Sequence, residues 1–250
     1  GQPILLDRLE IGPSWNYRLV AGADLGSSGG KATRAGVGNL KLAADRYIRT
    51  GAADIEMVSG NNIELTNTRS VVYSAGRETD PSRGESEPNG GMQDGFAALV
   101  FPVQFPVDGG RVSLTAGGDI RGARDDQMAT EWLYRFGSWD PNSENHAGQL
   151  PTAWGINFDR FRQDVAAFGG GEVLIRAAGD LKDISVVTPS TGKPVGEDLS
   201  NSPTDFNFAD NIVEIQKGGR FRIEADGDVL GGFYYAGDGG GELISHGALL

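Results

Sequence analysis

The stretch that decides the fold is GGEVLIRAAGDL, residues 170–181, because the chain repeats its plan. GGRVSLTAGGDI runs from Gly109 and GGRFRIEADGDV from Gly218; a looser copy, GNLKLAADRYI, starts at Gly38, and a near relative, ADIEMVSGNNI, at Ala53. Each copy is a short alternating segment, a Gly-Asp or Asn-Asn corner, and one more apolar residue. Alternation puts Val112 and Leu114, Val173 and Ile175, and Phe221 and Ile223 on one face of a strand. Ser113, Leu174 and Arg222 fall on the other, where Leu174 is the exception to a clean pattern. Ala116, Ala177 and Ala225 fit a narrow place before the corner. There Gly118, Gly179 and Gly227 make the turn, and Asp119, Asp180 and Asp228 are structural, accepting backbone N–H groups that would otherwise go unpaired. Units that cannot bury their own apolar face must stack on their neighbours. The spacing therefore predicts an all-β protein, a parallel β-helix (β-solenoid) with loop insertions.

Working outward, period two continues through Leu40 and Leu42, Ile55 and Met57, Ile63 and Leu65, and Val71 and Tyr73, with corners at Gly51, Asn61-Asn62, Asn67 and Gly76. Residues 14–23 read as an entry strand and residues 24–36 as a loop. Residues 78–95 are charged, rich in Pro and Gly and nearly free of apolar side chains, the composition of a protruding, disordered-like loop. FPVQFPV, residues 101–107, is no central antiparallel strand, because Pro102 and Pro106 lack donors; an edge position suits it. In residues 121–169 the period changes. Phe158, Phe161, Val165 and Phe168 follow helical spacing between Asn157, a good N-cap, and Gly169, so a short helix is expected over residues 157–168. Three regions result: solenoid coils over 1–120, an aromatic-rich insertion over 121–169, and solenoid coils over 170–250 with a loop near 188–207.

Composition narrows the function. The 250 residues carry a net charge of −12, which opposes nucleic acid and anionic membranes as main partners. There is no Cys, so disulfides, thiol catalysis and zinc-finger sites are excluded. No apolar run approaches the roughly 18–20 residues that span a bilayer. The chain opens on Gly1-Gln2-Pro3 and closes on ELISHGALL without a polar cap, as an interior piece of a longer protein would. Leu243, Ile244, Leu249 and Leu250 then mark an open edge suited to end-to-end self-association.

Chemistry-bearing motifs are scarce. His146 and His246 lie far apart, and neither has a metal-type spacing to a second ligand. Asp119, Asp180 and Asp228 invite comparison with the Asp clusters of β-helix polysaccharide hydrolases, yet the turns explain them. GDGGG at 237–241 occurs once and fits a turn better than a calcium repeat. Asp80, Glu85 and Glu87 suit a solvated acidic loop better than a loose calcium site. Phosphate loops and nucleophile elbows are missing. No catalytic residue, cofactor or metal is expected. The insertion holds the one candidate recognition surface, Trp132, Tyr134, Trp139 and Trp154. These rings either anchor a glycan or protein partner or cover an apolar solenoid face, since an insertion must bury something to be ordered.

The repeats, with RTGAADIEMVSGNNIELTNTRSVVYSAGR at residues 49–77, resemble filamentous haemagglutinin-type exoproteins, the secreted passengers of bacterial two-partner systems. PTAWGINFDRF leading into GGGEVLIRAAGDL is similar to a region inside long members of that class. The Asn-Pro-Asn-Leu and Asn-Pro-x-Gly motifs of the family's secretion domain do not occur in this sequence. The resemblance implies a right-handed β-helix, export through an outer-membrane β-barrel transporter, and a secreted or cell-surface location. The expected function is a non-enzymatic structural or adhesive shaft segment that binds a host, bacterial or matrix partner or forms an extracellular fibre. The alternative is a β-helix polysaccharide lyase or hydrolase, which needs convergent carboxylates, or Arg with calcium, in one groove.

Overall fold

The computed structural model describes residues 9–28, 32–78, 103–138, 150–195 and 212–250. The protein is all-β, with twenty strands and no α-helix among the described residues. Sixteen of the strands lie in three parallel sheets that the chain visits in rotation. The first pass lays down β1 (Tyr17–Ala21), β2 (Leu40–Leu42) and β3 (Tyr47–Thr50); the second, β4 (Ile55–Ser59), β5 (Ile63–Leu65) and β6 (Val71–Ser74). The third contributes β7 (Val112–Ala116), β8 (Ile120–Arg121) and, after two intervening strands β9 (Leu133–Ser138) and β10 (Leu150–Ile156), β11 (Val165–Ala167). The fourth gives β12 (Val173–Ala177), β13 (Leu181–Lys182) and β14 (Val186–Thr188), followed by β15 (Thr191–Val195) and β16 (Ile212–Gln216). A fifth gives β17 (Phe221–Ala225), β18 (Val229–Leu230) and β19 (Tyr234–Ala236), and β20 (Gly241–Ser245) begins a sixth.

Every parallel sheet lists its strands in chain order: β1-β4-β7-β12-β17-β20, β2-β5-β8-β13-β18 and β3-β6-β11-β14-β19. Equivalent residues of the repeats pair directly, so Val112, Val173 and Phe221 stand in one column and Leu114, Ile175 and Ile223 in another. One apolar cluster takes in these residues together with Ile63, Ile120 and Leu181 of the second sheet and Val72, Val165 and Val186 of the third. The period-two stripe of the sequence is thus the core, and Leu174 points outward, exposed.

The corner between the first and second sheets holds a side-chain ladder. The Oδ1 of Asn39 accepts the N–H of Asn62 at 3.0 Å; Asn62 does the same for Asp119, Asp119 for Asp180, Asp180 for Asp228 and Asp228 for Ala248, at 2.7–2.9 Å. The accepted N–H always belongs to the next pass, so these side chains tie passes together and do not merely shape their own turn. At four of the five rungs the residue before the donor is a glycine, while Asn61 stands there in the first. A Cβ at Gly118, Gly179, Gly227 or Gly247 would collide with the ladder oxygen of Asn62, Asp119, Asp180 or Asp228 respectively. The Gly-Asp pair is one device, an acceptor followed by room for the acceptor from below.

The helix expected over residues 157–168 does not form. Asn157 does accept the N–H of Arg160 at 3.1 Å, but the turn ends one bond later, with Phe161 donating to the carbonyl of Phe158 at 3.3 Å. Beyond it the backbone turns outward for partners: Val72 donates to the carbonyl of Asp164, Val165 to that of Ser185, and Phe168 to that of Ser74. Residues 165–167 become β11, between β6 and β14, because pairing on both sides satisfies every group that a lone helical turn leaves open.

β9, β10, β15 and β16 form a separate antiparallel sheet, in the order β16-β15-β10-β9. Of the FPVQFPV segment, residues 103–107 are described: Gln104 exchanges backbone bonds with Ile156 of β10, and Val107 with Arg77, as isolated antiparallel bridges separated by Pro106. The acidic loop beyond Glu78, and residues 196–207 of the loop near 188–207, lie outside the described residues.

Replacing Asp119 with Ala leaves the Asp180 N–H without its acceptor and should cost about 1–3 kcal/mol in urea unfolding, whereas Asp119→Asn should cost less. Gly179→Ala strikes the same contact from the other side. The double variant should therefore lose clearly less than the sum of the single losses, and strict additivity would show that the two positions act separately.

Candidate functional site

Four of the six Trp, Tyr and Phe rings of the insertion whose burial is described are buried. A second apolar cluster joins Trp132, Leu133, Ile156, Phe158, Phe161 and Phe168 to Val71, Tyr73, Ala166 and Val187, which lie on the outer side of the third parallel sheet. Phe168 packs edge-on against Phe158 at 5.0 Å and Phe161 at 5.1 Å, and Trp132 meets Phe161 at 5.3 Å. Trp132, Gln163 and Gln127 are joined there by hydrogen bonds. The Trp132 indole donates to Gln163 Oε1 at 3.2 Å, the Gln163 amide to the carbonyl of Gln127, and the Gln127 amide to that of Arg160. Burial pushes the Tyr73 hydroxyl up to about 12, against the pull of Arg49, whose guanidinium lies over the ring.

Trp132 therefore offers nothing to a partner: it is 0% exposed. The pattern that suggested a recognition surface is, for this ring, a cover over a sheet that would otherwise show Val71, Tyr73 and Val187 to water. Tyr134 and Trp154 are half-buried. Trp154 lies against Gly192, donates its indole N–H to the carbonyl of Ser190 at 3.1 Å, and carries the Arg135 guanidinium over its face at 5.8 Å. Trp139 and His146 lie outside the described residues, as do Asp80, Glu85 and Glu87.

A cleft of about 420 Å³ opens beside this cluster, between residues 124–128 and the bend that carries Asp183 and Ser185, with Gly231–Phe233 as its third wall. Behind Ser185 lies Asp164, 2% exposed, whose Oδ2 accepts the Ser185 N–H at 2.7 Å. Burial drives its carboxyl from 3.8 to about 7; the Ser185 N–H opposes the shift and the Asp125 carboxylate adds to it. Tyr234 is pushed to about 12 by burial and then by Asp164 and Asp183. Asp125 accepts the N–H of Gln127 at 3.0 Å and faces Arg162 Nε at 4.0 Å. A carboxyl raised by burial near a second carboxyl is the kind of pairing used in glycoside hydrolysis. Asp164, however, does not line the cleft, so a substrate there would not touch it.

At the opposite edge, Glu224, Asp226 and His246 bring their ligand atoms within 4.8 Å of one another. The sequence separation of 20 between Asp226 and His246 conceals this contact, because 20 residues is one full pass here. Aligning SHGAL at 245–249 with ADGDV at 225–229 as a further copy of the repeat would have revealed it.

No protein-family model, curated protein or solved structure matches the chain.

The buried Asp164 has a direct consequence for stability. Its folded carboxyl titrates near 7 and its unfolded one near 3.8, so the native state holds the proton more tightly. The stabilisation is complete below about pH 4 and is lost as pH rises toward and past 7. Asp164→Asn keeps an acceptor for Ser185 and cannot ionise. Its urea midpoint should change less than that of the parent between pH 5 and pH 8 and exceed it at pH 8. A larger fall for the variant would show that Asp164 is native as the carboxylate.

Proposed function

We propose that this chain is a shaft segment of a large secreted bacterial surface protein of the filamentous haemagglutinin type, structural or adhesive and not enzymatic. In this reading the three parallel sheets are the faces of a right-handed β-helix, exported through an outer-membrane β-barrel transporter. The observation that carries it is the register: each pass adds one strand to each of the three sheets around a shared apolar core. Such a plan lengthens by adding passes, each satisfied by the one below, which is what a long extracellular rod requires. The Asn/Asp ladder supports the same reading, since it spends the repeated carboxylates on holding passes together. The partner-binding part falls to the half-buried Tyr134 and Trp154, at the antiparallel sheet that stands off the third face.

The alternative, a polysaccharide lyase or hydrolase, draws on one specific observation, the cleft at Asp125 and Asp183 with the neutral-leaning Asp164 behind it. A panel of acidic and neutral polysaccharides separates the two. The shaft reading expects no new reducing ends or unsaturated products, and elongated rods in electron micrographs of the purified chain. Depolymerisation that disappears in both Asp125→Asn and Asp183→Asn, which line the cleft, would replace it with the enzyme.

A further inference from the structure

We propose that Glu224, Asp226 and His246 form a binding site for a divalent transition-metal ion of the Zn²⁺ class, clamping the sixth pass to the fifth. The donors sit on strands whose backbones are already fixed. β17 and β20 pair in register from Phe221 with Gly241 to Ala225 with Ser245. Just past that ladder, His246 donates its N–H to the carbonyl of Ala225 at 3.0 Å, and Asp226 donates to that of Ala177 at 2.9 Å. Asp226 and His246 are therefore stacked, with His246 Nδ1 3.5 Å from Asp226 Oδ1, and Glu224 is two residues away on the same strand side. All three ligand atoms fall within 4.8 Å of one another, and side-chain rotation at these surface positions has to close that spread to the roughly 3.4–3.6 Å between ligand atoms of a tetrahedral ion.

The donor chemistry selects the metal class. One imidazole with two carboxylates, leaving a fourth position for water, suits Zn²⁺ and its neighbours, whereas Ca²⁺ and Mg²⁺ prefer all-oxygen shells. Charge favours a cation as well. The nearest basic competitor is Arg222, whose Nη2 lies 3.7 Å from Glu224, but its Nη1 bonds Glu242, so it keeps a partner if Glu224 turns to a metal. The position is also where the ladder gives out. Ala248 stands where earlier passes carry Asn or Asp, so the sixth pass receives a bond from below and has no carboxylate of its own at this corner. Asp226 and His246 are exposed, so the site is open to an ion from solvent.

The test is a Zn²⁺ titration of the metal-free 250-residue protein by calorimetry, with thermal unfolding alongside. One ion per chain should bind and raise the unfolding midpoint. His246→Gln and Asp226→Asn remove ligands, and since loss of even an outer-shell partner typically weakens a site 10–100-fold, each should weaken binding by more than about tenfold. His146→Gln changes the only other histidine and should leave affinity and midpoint shift intact. The His246 and Asp226 side chains are at the surface, and circular dichroism without metal should match the parent. Absence of Zn²⁺ binding, binding that survives His246→Gln, or equal loss in His146→Gln would each overturn the proposal. Ca²⁺ binding of comparable strength that ignores His246→Gln would overturn it too, because the site would then be made of oxygens alone.

Discussion

The structure depends on one contact made repeatedly: a side-chain oxygen of one pass sits where the glycine of the next has no Cβ, and accepts the N–H of the residue after it. Parallel strands present slanted, evenly spaced bonds along their length, but a corner interrupts the ladder and leaves N–H groups facing the gap between passes. Asn39, Asn62, Asp119, Asp180 and Asp228 close that gap one after another. A carboxylate can do so only if nothing occupies its path, which is why glycine stands at 118, 179, 227 and 247. The like charges of successive Asp residues oppose the arrangement. Each carboxylate is offset by a charge-assisted bond to backbone, and Asp119 also by Arg121 at 2.5 Å.

This coupling explains how much was legible in the sequence. The first and second sheets have one buried face, so their strands alternate, and Val173, Ile175 and Ala177 declare themselves at once. The Gly-Asp corners were visible too, because both members of the device recur at fixed offsets. The direction of the bond, to the next pass and not within the turn, was not visible, since a local turn asks for the same residues.

The third sheet announced itself only in part, at Val71 and Tyr73 of β6, for a physical reason. Its middle strands are covered on both sides, inward by the core and outward by the insertion, so β6, β11 and β14 are buried at every position. A strand buried on both faces loses its period of two and reads as a plain apolar run. In residues 157–168 that run, with a capping Asn157 and the apolar side chains of Phe158, Phe161, Val165 and Phe168 three and four apart, imitates a helix. The phenylalanines had another purpose. Phe158, Phe161 and Phe168 gather on Tyr73 and Trp132 from different directions along an irregular path, which no single helical face would require.

Sites in such a chain are assembled across passes, and this limits what spacing along the sequence can reveal. Metal and catalytic motifs are recognised by short offsets because a helix or a tight loop fixes them locally. Here the fixed offset is the length of a pass, and it varies: Asp119 and Asp180 are 61 residues apart, Asp180 and Asp228 are 48, and Asp226 and His246 are 20. Insertions between sheets lengthen a pass without moving its strands, as β9 and β10 do within the third. Side chains that meet at a corner therefore have no constant separation, and only alignment of the repeats themselves shows who stands above whom. His246 illustrates the point, since it is a solitary histidine in the sequence and the stacked neighbour of Asp226 in the fold.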